Sequence, residues 1–206
     1  MTGYPAEPWD LRGTGAITMW HVDHDRLPVL PKGTRPLTVA GRAVVATAFV
    51  RYDERGLMGY HELLAAVVVR HGLRPALSIT DIWVDSEVSM AGGRGLWGIP
   101  KQMATFDIGY RSWSASTADG LAAAAAVEPA GGPDVRLPFP LPGRVVQTLD
   151  GRTVASRIRA GGRVRRTRST WEVPPAGPLG WLSGASPVVH IGAPDFAMTF
   201  GSAPRR

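Results

Sequence analysis

The sequence predicts a mainly β protein with minor α content: an antiparallel sheet, closed into a barrel or strongly curved, with a few short helices. Apolar residues recur mostly with a period of two, and the 206 residues include 18 prolines and 25 glycines, too many for a helical bundle. Asp119-Gly120, Asp150-Gly151 and Gly161-Gly162 read as three hairpin turns. Repeated hairpins with few helices favour closure, which removes open sheet edges. Such a sheet also encloses space, so a dry interior pocket is expected.

Taken in order, Gly15 to Val22 alternates, with Ile17 and Met19 opposed to Thr18 and Trp20, and reads as the first strand. The proline-rich stretch from Pro28 to Pro36 is a connection without regular structure. Arg42 to Tyr52 reads as a buried strand, Gly59 to Arg70 as a second and Ala76 to Val84 as a third. A helical face through Leu63, Ala66 and Val67 is the alternative for Glu62 to Arg70. Between Ser86 and Gly93 a short helix is expected, capped by Ser86, with Glu87 in its first turn, and stopped by Gly92-Gly93. The next strand is expected over Gln102 to Tyr110.

One domain over residues 1–206 is expected, since this length builds a substantial core. With no cysteine there is no disulfide framework, no thiolate nucleophile and no thiolate metal site. The first nine residues lack the basic and apolar regions of a secretion signal, and the apolar run Leu121 to Val127 is too short to span a bilayer. A cytoplasmic protein without membrane contact is the expectation. Net charge is +6, but 21 of the 23 basic residues are arginines, a composition bias that makes scarce lysine uninformative in itself.

The most informative stretch runs from Ala91 to Ala104, where glycines, Trp97, Pro100 and Lys101 crowd together. An ammonium flanked by Trp97, Ile99, Pro100 and Met103 is costly to keep charged if those side chains exclude water, so the Lys101 pKa is expected to fall. A neutral amine adds to a ketone or aldehyde and loses water to give an iminium, an electron sink for the neighbouring carbon-carbon bond. A lysine lying over the surface beside a Gly-Pro turn is the competing reading of so short a motif.

Asp85-Ser86-Glu87, Ala91, Gly93-Arg94, Leu96, Gly98-Ile99-Pro100-Lys101 and Met103-Ala104 together resemble the segment of the acetoacetate decarboxylase family that carries its Schiff-base lysine. Gly56-Leu57 with Tyr60-His61-Glu62 resembles the family's Gly-Leu…Tyr-x-Glu segment, and Asp195 to Gly201 is similar to the ending of many smaller members. The resemblance implies a barrel of that family's type, Lys101 as the imine-forming nucleophile and Glu62 as its polar partner in the pocket. It also implies a homo-oligomer, and chemistry that needs neither metal nor organic cofactor. Gln102 stands where decarboxylases have a second lysine, and in an extended segment it points away from Lys101. Thr47 stands at the place of a second pocket glutamate, Gly95 replaces an acidic residue, and Arg12 is the nearest candidate for an N-terminal arginine that holds a substrate carboxylate.

The expected substrate is a β-keto acid or related small carbonyl compound. The departures at Thr47 and Gln102 leave aldol condensation, dehydration or cyclisation in a biosynthetic pathway beside decarboxylation. Trp97 is placed in the pocket wall, and Arg94 either anchors the loop or binds a carboxylate. The alternative from another class is a non-covalent small-molecule-binding barrel, in which a buried Lys101–Glu62 pair keeps the amine protonated.

Other clusters carry less. Arg157, Arg159, Arg163, Arg165, Arg166 and Arg168 crowd one segment, but no aromatic residues interleave to stack on bases, so a solvated face is preferred and no nucleic-acid partner is expected. His21, Asp23, His24 and Asp25 lack a metal-binding spacing, and no metal site is expected. His61, beside Glu62, is either a packed side chain or a proton shuttle.

Overall fold

A computed structural model describes residues 3–202. The strands are β1 (Trp9–Val22), β2 (Thr34–Pro36), β3 (Thr38–Val39), β4 (Arg42–Tyr52), β5 (Tyr60–His71) and β6 (Arg74–Val84). Helix α1 (Glu87–Trp97) leads to β7 (Lys101–Met103), β8 (Thr105–Ile108), β9 (Ser112–Thr117) and β10 (Gly120–Pro129). The chain ends in β11 (Val135–Arg136), β12 (Leu141–Leu149), β13 (Arg152–Glu172) and β14 (Ser186–Phe200). No helix among the described residues is long and apolar enough to cross a membrane.

Seven strands run round a ring in the order β12-β6-β5-β4-β1-β14-β13, and β13 pairs back onto β12. The β6–β12 contact is parallel and rests on the single pair Val145 and Leu77, so the sheet is strongly curved with a weak seam and is not a clean barrel. Beyond the ring, the far half of β13 pairs with β10 and carries a second layer, β10-β9-β8. Side chains alternate along each strand, so the sheet has two unlike faces. One face, with Leu11, Ala48, Val50, Ile79, Ile82 and Val84, looks into the ring. The other, with Trp20, Phe49, Leu63, Val67 and Trp83, packs against Ala115 and Ala123 of the second layer and against Leu179 and Leu182. Phe49 stacks on Trp171 at 5.3 Å in that outer core.

The mainly β, curved architecture agrees with the sequence, and β4 has the expected bounds. β5 is a strand, which settles the helical alternative, because Val67 and Leu63 serve one face and Leu64 and Ala66 the other. Several expectations need correction. The sheet is mixed, since β7 and β12 pair with β6 in parallel. β1 begins at Trp9, because the alternation extends through Leu11. The strand expected over 102–110 is two short strands, and Lys101 itself opens the first.

The Asp150-Gly151 turn forms with both residues at positive φ, 50° and 73°. Gly161-Gly162 is no hairpin: β13 runs straight through it, paired on one side with β14, while β12 and β11 flank the glycines on the other. A Cβ on Gly162 would run into the β14 backbone at Asp195, so close strand approach explains this glycine.

The two glycines expected to stop α1 do not. Ser86 caps it as predicted, its Oγ accepting from the Ser89 N–H at 3.2 Å, but the helix passes through Gly92, Gly93 and Gly95. Those positions face Trp9, Lys101 and Tyr4 at distances that leave no room for a Cβ. The helix stops at Gly98, whose φ of 65° is left-handed. Gly72 shares that conformation, with φ of 61° and open space around it, whereas a Cβ on Gly98 would collide with the Thr148 carbonyl. Gly72→Ala is therefore expected to cost about 1 kcal/mol, the ordinary left-handed penalty, and Gly98→Ala at least about 2 kcal/mol more. Urea denaturation midpoints check this, and equal midpoints would contradict the packing account.

Candidate active site

Lys101 owes its position to three local features. The Gly98 turn sends the chain from α1 back along β6, where Lys101 lies directly beside Ile82. Arg94, in the last turn of α1, donates from Nε to the Lys101 carbonyl oxygen at 2.7 Å and pins the strand. Gly93 leaves the space the side chain needs, since a Cβ there would sit 2.8 Å from the Lys101 Cδ. Lys101 projects into the ring and is only 4% exposed.

Its ammonium has three partners for three N–H groups. Nζ donates to Glu62 Oε2 at 2.8 Å, to Ser89 Oγ at 2.8 Å and to the Tyr60 hydroxyl at 3.4 Å. Glu62 is buried in turn, and its Oε1 accepts from the Tyr52 hydroxyl at 3.1 Å. Tyr52 and Tyr60 are direct cross-strand partners, and Glu62 follows Tyr60 by two residues, so all three side chains share the inner face. Burial, the strongest single influence, pushes the lysine down. The Glu62 charge, the Tyr60 phenol and the hydrogen bonds to both together outweigh it and hold Lys101 above its ordinary value. The expected fall in the Lys101 pKa is therefore corrected, because a partner carboxylate that sequence spacing did not place meets it in space. Burial pushes the Tyr60 hydroxyl up to about 12. Burial first, and then the Glu62 charge, raises Tyr52 well above the usual phenol value.

The cluster opens onto a cavity of about 1270 Å³ whose wall is mostly aliphatic and aromatic, with Arg163, Arg165 and Arg166 of β13 and His190 of β14 also lining it. Trp97 stands in that wall as expected, edge-on to Trp9 at 4.9 Å, with its Nε1 donating to Glu7 Oε2 at 3.0 Å. The other candidates, Thr47, Gln102, Arg12 and Arg94, do not line the cavity. Thr47 is buried on the outer face, where its Oγ1 accepts from Trp20 Nε1 at 2.9 Å, because only Ala46 and Ala48 on either side of it look inward. Gln102 is exposed on the face opposite Lys101, as its neighbouring strand position dictates, so it does not line the cavity. Arg12 is exposed and absent from the wall, since Leu11 takes the inward position. Arg94 anchors the loop rather than reaching the cavity.

His61 turns away from the lysine, its Nδ1 2.6 Å from Asp85 Oδ2. His24 lies in a short 3-10 turn and Asp23 pairs with Arg42 at 2.9 Å; no metal-binding cluster of His, Cys, Asp or Glu occurs among the described residues. The six clustered arginines lie along β13, and all but Arg165 are exposed; Arg165 pairs with Asp134 at 2.7 Å. Sequence reasoning missed Ser89 and Tyr52. Ser89 lies three residues after the cap Ser86, on the helix face turned to Lys101, a signal readable only once the helix is known to continue past Gly93. Tyr52 is betrayed by its pairing with Tyr60, which follows from the register of β4 on β5.

Solved structures similar in fold include the following three. The acetoacetate decarboxylase of Legionella pneumophila superposes with a TM-score of 0.75 at 19% identity, over 98% of this chain and 88% of that one. An acetoacetate decarboxylase-like enzyme from Sphingomonas wittichii gives 0.67 at 13% identity, over 99% and 94%. The enduracididine biosynthesis enzyme MppR, complexed with pyruvate, gives 0.64 at 17% identity, over 96% and 90%. A search among curated proteins finds no significant relative. The acetoacetate decarboxylase family model matches residues 2–135, a span that holds every member of the inner polar cluster from Tyr52 to Lys101, and the chain belongs to that family.

Proposed function

We propose that this protein is a cofactor-independent Schiff-base enzyme acting on a β-keto acid or related carbonyl compound, with Lys101 forming the iminium. The observation that carries the reading is the Lys101 amine itself, buried in an apolar cavity 2.8 Å from a carboxylate able to take its proton. In the empty site the pair is charged. When a carbonyl compound displaces water, Lys101 passes a proton to Glu62, which neutralises both groups where charge is costly. The nitrogen lone pair then bonds to the carbonyl carbon, and the proton that the nitrogen sheds passes to the former carbonyl oxygen, giving a neutral carbinolamine. Glu62 returns its proton as that oxygen leaves as water, giving the iminium. In a β-keto acid the bond to the carboxylate then breaks, its electrons flow to the iminium nitrogen, carbon dioxide leaves and an enamine remains. Protonation at carbon and hydrolysis free the ketone and restore Lys101.

A second reading uses the same iminium for aldol condensation, dehydration or cyclisation. It is favoured by the outward Thr47 and the exposed Arg12, which leave the Lys101 cluster without a second carboxylate and without the N-terminal arginine that would hold a departing carboxylate. MppR, similar in fold, has been crystallised with the condensation product of pyruvate and imidazole 4-carboxaldehyde. The rival non-covalent binding barrel draws on the raised Lys101 pKa. A homo-oligomer would cover exposed Phe139, Leu141, Val188 and Val189.

Borohydride trapping with acetoacetate, pyruvate and simple aldehydes is expected to leave an adduct on Lys101, read by peptide mass spectrometry and absent in Lys101→Gln. No adduct on Lys101 with any of them would favour the non-covalent barrel.

The pH dependence follows from the ion pair. Lys101 is raised in the folded state, so the stability it draws from Glu62 is fully present below the ordinary lysine pKa of about 10.4 and is lost as pH rises through the folded value. An amine reagent is therefore expected to modify Lys101 at higher pH than a free lysine side chain in solution. Glu62→Gln removes the charge and leaves the burial, and should move Lys101 below the free amine. Titration of Lys101 in both proteins against the free amino acid derivative checks the sign.

A further inference from the structure

The cavity is far larger than a small oxo acid needs. Acetoacetate has seven non-hydrogen atoms, and at no more than about 30 Å³ each, the share of one water, they fill at most about a sixth of the space. The whole, about 1270 Å³, exceeds the usual range of small-molecule sites.

One row of directly paired residues crosses the inner face of the sheet. Lys101 lies beside Ile82, Ile82 beside Leu64, Leu64 beside Ala48, Ala48 beside Ile17, Ile17 beside Ile191, and Ile191 beside Arg166. Direct partners point to the same side of a sheet, and every residue of this row lines the cavity. Its two ends are cationic and everything between them is aliphatic. Six strand spacings separate the ends, roughly 29 Å along the curved wall and less across it. Arg166 is exposed at the mouth and forms no salt bridge among the described residues, whereas its neighbour Arg165 is occupied by Asp134.

The geometry points to an extended, largely apolar carbonyl compound as the ligand of this site, with its carbonyl at Lys101 and a remote anionic group held by Arg166. This deepens the Schiff-base reading and rests on it for the carbonyl end only. Arg166 thus selects the substrate and takes no part in bond making.

Calorimetric titration with saturated carboxylates from hexanoate to tetradecanoate, below their micelle concentrations, reads the cavity without imine chemistry. Affinity is expected to rise roughly threefold per methylene, a slope below the full transfer value because the mouth is wet. Arg166→Gln is expected to weaken the carboxylates about tenfold while leaving the matching alcohols unchanged. Ala48→Leu, halfway along the row, should blunt the chain-length dependence, which binding at the outer surface would not do. Affinity independent of chain length, or an Arg166→Gln effect equal for acids and alcohols, would overturn the proposal. Borohydride trapping of 11-oxododecanoate against 4-oxopentanoate separates the two readings. Loss of both adducts with the titration behaviour intact sinks the imine alone, whereas equal adducts with flat titrations sink the extended ligand alone.

Discussion

The contact between Lys101 and Glu62 sets the conditions that the surrounding structure has to meet. Two full charges inside an apolar wall cost several kcal/mol each in lost hydration, and their mutual attraction repays this only when the remaining lone pairs and protons are also satisfied. Here Ser89 and Tyr60 take the other two ammonium protons, and Tyr52 bonds the second carboxylate oxygen. These groups come from β4, β5, α1 and β7. The register of β4 on β5 and the course of α1 are therefore fixed by one polar cluster as much as by the apolar core.

That demand explains the glycines of α1 better than helix propensity does. Three glycines in an eleven-residue helix cost up to about 1 kcal/mol each relative to alanine. They are tolerated because the helix backbone has to lie against Trp9, the Lys101 stem and Tyr4. The helix can then present Ser89 to the ammonium while Arg94 holds the strand that carries it. A longer side chain at Gly93 would push the lysine out of reach of Glu62.

Much of this was legible in the chain, and the misses share a cause. The nearly continuous apolar run from Val44 to Val50 marks β4 as a buried strand, and Val45 to Val50 is buried at every position. The motif around Gly98-Ile99-Pro100-Lys101 singled out the lysine. Alternation alone does not say which parity faces inward, however. The place of Thr47 in the chain matches a pocket position of the family, whereas the Trp20 bond shows that its parity belongs to the outer core. Gly-Gly at 161–162 has the composition of a turn, but its meaning depends on β14 approaching from outside the segment. For the lysine pKa the family resemblance names Glu62, 39 positions away, as the partner, but which of burial and carboxylate wins depends on their distance in space, and the 2.8 Å contact decides it for the carboxylate.

The pair and the cavity are linked by dielectric. Water admitted to a cavity of this size would help to keep Lys101 and Glu62 charged. A ligand that covers the aliphatic wall expels that water and raises the cost of both charges at once. The neutral arrangement, amine beside carboxylic acid, then gains relative to the ion pair without any movement of the backbone. A ligand too short to dry the wall shifts that balance less, so a smaller fraction of the amine is free to react. On the proposed Schiff-base reading, filling the wall between Ile82 and Ile191 would then couple ligand size to the nucleophilicity of Lys101.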